Sequence, residues 1–183
     1  MAHLIMPAAF HSPDLPARTR VLDAPLVLTS IWTDYIAPML RRPPRFQVAA
    51  LCHRAGDAGP EVLMITSRET KRWILPKGWP KKGYDAAGAA LEEAWEEAGV
   101  KSRPATPRRI GDYRYTKRLT GGVPVETQVA VFAIEVDKLY EQFPEVSERE
   151  RRWYDHAEAA DLVDEDGLRD LLRDLPALIG TSH

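Results

Sequence analysis

The chain has 183 residues, 44% hydrophobic and 28% charged, with a formal net charge of −2. That is an ordinary soluble composition with room for one domain, and the near-neutral balance provides no global field for nucleic acid or a membrane surface. Its single cysteine, Cys52, excludes an intrachain disulfide. No apolar run nears the ~20 residues of a membrane span and no signal-peptide pattern opens the chain, so a cytoplasmic protein is expected.

Residues 1–25 are dotted with proline and carry no period, which predicts an irregular arm. Leu28, Ile31, Trp32, Tyr35 and Ile36 then recur at helical spacing up to Pro38, which should end or kink the helix. That stripe suits a helix docked on its own domain or a contact in a homodimer. "RRPPR" reads as a linker, so residues 1–45 form an N-terminal segment outside the main domain. "FQVAALCHR" and "EVLMITSR" read as strands either side of the turn-rich "AGDAGP", and "RWILP" as a short third. Cys52 falls in the first of these as a buried strand thiol. Gly78 to Gly83 predicts loop. Asp85 is placed to cap a helix running to about Ala98, with Gly99 as its left-handed C-terminal cap. "RRIGDYRYTK" and "VETQVAVFAIEV" read as strands joined across "LTGG", a hairpin signal. "RRWYDH" closes the strands. "AEAADLVDEDGLRDLLRDL" gives one or two amphipathic helices, and residues 176–183 a tail. Strands surround one helix and a helix closes the chain, so the class is mixed α/β or α+β.

The helix after Asp85 carries the chemistry. Glu92, Glu93, Glu96 and Glu97 fall within six positions, and no Lys or Arg lies between Asp85 and Val100. At about 100° per residue the four carboxylates share one sector, with Ala87, Leu91, Ala94, Trp95 and Ala98 opposite. The expectation is an apolar face toward the core and a carboxylate face turned away from it. Like charges at i,i+4 repel by a few tenths of a kcal/mol per pair. A hard divalent cation, Mg²⁺ or Mn²⁺, would answer that repulsion; a solvated acidic face is the plainer reading. Ahead of the helix, "SRETKRWILPKGWPKKG" sets Arg68, Lys71, Arg72, Lys77, Lys81 and Lys82 against one acid, Glu69. A basic loop feeding an acidic helix pairs a phosphate clamp with a metal clamp, although such a loop also serves solubility or pairs with the helix itself. Other phosphate motifs fail: Tyr84 and Asp85 stand where a P-loop needs Lys and Ser/Thr, and no GxGxxG or HExxH occurs.

Gly78 to Val100 resembles the Nudix box of the pyrophosphate hydrolase superfamily, G-x5-E-x7-R-E-u-x-E-E-x-G-u with u aliphatic. Gly78, Glu93, Glu96, Glu97, Gly99 and Val100 match. Tyr84 stands where the first Glu belongs and Glu92 where the Arg belongs, so a pair that is common in the family is absent as a pair. A Tyr84 hydroxyl bonded to Glu92 is one expectation for the change. "TSRETKRWILPKGWP" and "ERRWYDHAEAADLV" extend the resemblance to diphosphoinositol polyphosphate phosphohydrolases and their bacterial relatives, over about residues 46–175.

The resemblance implies an α/β/α sandwich with a mixed central sheet. It also implies metal-dependent hydrolysis of a phosphoanhydride in a highly charged small molecule, a diphosphoinositol polyphosphate or a dinucleoside polyphosphate. The alternative is a catalytically weak or inactive Nudix-fold protein that binds a phosphorylated ligand. Glu93, Glu96 and Glu97 would be the catalytic metal ligands for Mg²⁺ or Mn²⁺. Arg68, Arg72, Lys77, Gly78 and Lys82 would contact substrate. The general base is open among Glu93, Glu97, Glu126, Glu145 and Glu148. Trp79 is read as packing its loop or stacking on a substrate ring, and Trp73 as packing in a strand. No nucleic acid or membrane partner is expected.

Overall fold

The computed structural model describes residues 45–105, 107–118 and 124–180. The N-terminal arm, the Leu28–Ile36 stripe, most of the "RRPPR" linker, the "LTGG" turn and residues 181–183 lie outside the described residues. The strands are β1 (Arg45–Ala55), β2 (Pro60–Thr66), β3 (Trp73–Ile74), β4 (Lys77–Gly78), β5 (Val100–Ser102), β6 (Arg108–Arg118), β7 (Pro124–Leu139) and β8 (Arg151–Asp155). The helices are α1 (Ala86–Ala98), α2 (His156–Leu162), α3 (Asp166–Arg173) and α4 (Leu175–Gly180).

β1 lies at the centre, and its run from Gln47 to Cys52 is buried throughout. A strand covered on both faces needs apolar residues at every position, which is why "VAALC" shows no alternation. Val48, Ala50 and Cys52 point into one core cluster with Leu63, Ile65 and the α1 alanines. Ala49 and Leu51 point into the other with Val62, Met64, Ala160, Leu168 and Leu172. A mixed sheet therefore separates α1 on one face from α2, α3 and α4 on the other, the sandwich expected. β1 pairs parallel with β7 and antiparallel with β2; β2 also takes β8, and β7 takes β5 and β6.

Three elements differ from expectation. Gly78, expected to open a loop, instead forms a short strand with Lys77, because Val48 and Ala49 of β1 lie opposite them. β5 is too short to show a period and exists through its pairing with the end of β7. α4 extends the helical region into the stretch expected as tail. No helix among the described residues is long and apolar enough to cross a membrane.

α1 is capped as its sequence predicts. The Asp85 carboxylate accepts from the Gly88 N–H at 2.7 Å, and Gly99 takes a left-handed φ of 66° with its N–H on the Trp95 carbonyl at 2.9 Å. Its orientation corrects the sequence reading. Glu93 and Glu97 are buried together with Ala89, Ala90, Ala94 and Ala98, whereas Trp95 is exposed. The sheet covers the alanines. β4 and the β7–β8 connection cover the glutamates, so half of the acidic face points inward.

Candidate active site

Three segments converge on the buried side of α1. β4 brings Lys77 and Gly78. The Lys77 N–H donates to Glu97 Oε2 at 2.9 Å. Gly78 lies so close to Glu93 that a β-carbon there would overlap the carboxylate. Glycine is needed at 78 for this approach and not for its backbone angle. The loop after β4 brings Lys81, whose ammonium bonds Glu96 and lies 3.6 Å from Glu93. The β7–β8 connection brings Arg149. Its guanidinium pairs with Glu97, bonds Glu145 Oε2 at 2.6 Å and donates to the Thr66 carbonyl at 3.0 Å.

Burial and charge set the protonation of these groups. Burial pushes the Glu97 carboxyl up to about 7, against the pull of Arg149 and the Lys77 N–H. Burial also raises Glu93, opposed by Lys81. For Lys81, partial burial acts downward, but the bond to Glu96 and the fields of Glu93 and Glu96 leave it raised. Two buried carboxyls held above the usual range are under-neutralised by the cations beside them. An all-oxygen donor set of that kind fits a hard divalent cation in its chemistry. In the arrangement described, Lys81 and Arg149 take those oxygens, and among the described residues no three Asp, Glu, His or Cys side chains group as a ready metal site.

Beside the carboxylates opens a cavity of about 490 Å³. Its lining includes Ser67, Arg68, Arg72, Lys77, Glu97 and Arg149, together with Gln47, Tyr115, Thr116 and Glu165. The Tyr115 hydroxyl donates to Gln47 Oε1 at 2.7 Å. The basic approach turn is compact. Ser67 Oγ accepts the Arg72 N–H at 3.1 Å, and Lys71 sits at a positive φ of 54°.

Acids from later in the chain meet the basic loop. Arg68 lies 3.7 Å from Glu145 and 3.4 Å from Glu148; Arg72 pairs with Asp164 and lies 3.9 Å from Glu165. The structure thus brings together Arg68, Arg72, Lys77, Gly78, Glu93, Glu96 and Glu97. Lys82 is exposed and outside the cavity lining; its neighbour Lys81 turns inward instead. Of the base candidates, Glu145 and Glu148 reach the site rim. Glu126 is on β7 in an exposed pair with Arg114. Trp79 is 37% exposed with the Arg45 guanidinium over its ring, and Trp73 packs edge-on to Tyr154. Tyr84 and Glu92 share no hydrogen bond among the described residues; the Tyr84 ring lies against Gly88 instead. Sequence reading passed over Arg149. Its one signal is that a helix of four acids with no cation of its own needs one from elsewhere, and "SERERR" supplies it.

Residues 43–175 match the family model of the NUDIX domain. The chain is 28% identical to Nudix hydrolase 4 of Arabidopsis thaliana over 61% of its own length and 52% of that relative's. It is 39% identical to diphosphoinositol polyphosphate phosphohydrolase 3-alpha of Homo sapiens over 31% of its own length and 35% of that relative's. The chain therefore spans about half or less of the length of these curated relatives. In three dimensions it resembles a C. elegans Ap4A hydrolase with a TM-score of 0.57 at 19% identity, covering 75% of this chain and 99% of the other.

Proposed function

The chain belongs to the NUDIX domain family, and from that premise we propose that it hydrolyses a phosphoanhydride bond in a small, highly charged substrate with the help of Mg²⁺ or Mn²⁺. The reading takes residues 46–175 as the hydrolase domain. The observation that carries it is one cavity lined by the buried Glu97 carboxylate and the cations Arg68, Arg72 and Lys77, with the buried Glu93 carboxylate on the same helix against Gly78.

Glu93, Glu96 and Glu97 would hold the metal, which when bound polarises phosphoryl oxygens and lowers the pKa of water. Arg68, Arg72 and Lys77 orient the nonbridging oxygens and stabilise the charge that grows on them as the anhydride opens. Glu145 and Glu148, paired with Arg68, would be the candidate bases for the attacking water.

The relatives point to diphosphoinositol and dinucleoside polyphosphates. The charge balance of the walls favours the second. Arg68 and Arg72 each face two carboxylates, so the cavity suits a substrate whose charge is confined to a polyphosphate chain better than a ring phosphorylated all round. Gln47, Tyr115 and Thr116 leave a polar surface for the uncharged part. A second reading, a ligand binder without turnover, draws on Lys81 and Arg149 already satisfying the site carboxylates. A panel of dinucleoside polyphosphates, diphosphoinositol polyphosphates and nucleotide sugars, incubated with Mg²⁺ or Mn²⁺ and resolved by anion-exchange chromatography, separates these. Metal-dependent cleavage of dinucleoside polyphosphates is expected; tight binding with no product would select the second reading.

A further inference from the structure

α1 has no cation of its own. Glu92 stands where the box carries arginine, and Glu97 is held from outside the helix. Arg149 does so from a point 52 residues further along the chain. Its side chain is only 4% exposed, and every edge of the guanidinium is used: on Glu97, on Glu145 Oε2 at 2.6 Å, and on the Thr66 carbonyl at 3.0 Å. The backbone that carries it is fixed as well. The Glu150 N–H donates to Thr66 Oγ1 at 2.9 Å, and the Thr66 N–H donates to the Glu150 carbonyl at 2.9 Å. Four residues before Arg149, the Glu145 N–H donates to the Glu96 carbonyl at 3.0 Å. The β7–β8 connection is thus clamped to the end of β2 and to α1 at once, with Arg149 as the cross-piece.

We infer that Arg149 is the positioning residue of the site: it fixes the Glu97 carboxylate against the Lys77 N–H and holds Glu145 beside Arg68. This rests on the reading of Glu97 as a site carboxylate. A guanidinium stays charged when buried and bonds through a rigid fork, so it sets direction as well as charge. A lysine at 149 would keep the charge and lose the fork. Arg149 acts through the two carboxylates it bonds, Glu97 and Glu145.

The test compares R149K and R149M with the full-length wild-type chain in two measurements. The first is amide hydrogen exchange at Lys77, whose N–H bonds Glu97 Oε2, with Leu51 in the centre of β1 as reference. The inference expects exchange at Lys77 to quicken by about tenfold or more in R149M, and by less in R149K, with Leu51 unchanged. This readout needs no substrate and no turnover, so it stands or falls apart from the proposed activity. The second is a double-mutant cycle on turnover. R149M should lower kcat by about 10- to 100-fold in the wild-type background, and by less than about twofold once E97Q is present. R149K, which retains a cation, decides the matter if R149M does not fold. Wild-type protection at Lys77 in R149K and in any folded R149M, or fully additive losses in the cycle, would overturn the inference.

Discussion

Gly78 owes its identity to what lies opposite it. A β-carbon there would share space with the Glu93 carboxylate, which is itself buried and has little room to retreat. G78A should therefore push Glu93 out of place and cost about 1–3 kcal/mol in chemical denaturation, as overpacked sites do. Adding E93A removes the obstacle and should recover most of that loss. An unchanged midpoint in G78A would show that the two groups do not oppose each other. At the same scale, the matching positions of the box were legible because each is a single residue type at a fixed spacing. Arg149 was not, because its contact with Glu97 arises only when the β7–β8 connection folds back over α1.

α1 is the element that assembles these residues, and its two ends differ in kind. Asp85 contributes one side-chain cap, so D85A should cost about 1 kcal/mol. Gly99 combines a left-handed φ of 66° with crowding: a β-carbon would meet Phe143 at 2.7 Å and the Tyr140 carbonyl at 2.8 Å. The conformation alone costs a substituted residue about 1–2 kcal/mol and the overlap adds to it. G99A should therefore destabilise more than D85A in urea melts, and the reverse order would contradict this account of the helix ends. Both caps were readable in advance because capping is local. So were β1, β2, β6, β7 and β8, whose compositions carry their own signal. β4 and β5 were not, since two or three residues become strand only through a neighbour. The inward face of α1 was misread for a related reason. The pattern separates Glu from Ala, but it cannot show that β4 and a distant arginine will cover the glutamates.

At the scale of the whole molecule, a sheet buried on both faces shields its titratable groups, and this gives the fold an alkaline limit. Burial pushes the Cys52 thiol up from 9.0 to about 12, and the Tyr115 phenol from 10.0 to about 12; Tyr113 also rises well above 10.0. A folded pKa above the unfolded one means the native state binds more protons once the unfolded chain begins to lose them. The stability these groups contribute is complete below pH 9.0 and is lost as pH climbs toward about 12. C52A should show a shallower fall of stability across that window, whatever its absolute stability. An identical slope would place the thiol outside the linkage. The same burial means that at neutral pH a thiol reagent should label Cys52 only as fast as the chain opens.

The measurement that bears most directly on the proposed chemistry is metal-dependent cleavage of a dinucleoside polyphosphate by the wild-type chain and by E97Q, assayed side by side over a Mg²⁺ and a Mn²⁺ titration. Turnover should rise with metal in the wild type and fall by about 100-fold or more in E97Q, as expected when a metal carboxylate is lost. Equal turnover in the two proteins, or cleavage indifferent to metal, would contradict the assignment of Glu97 and with it the proposed site.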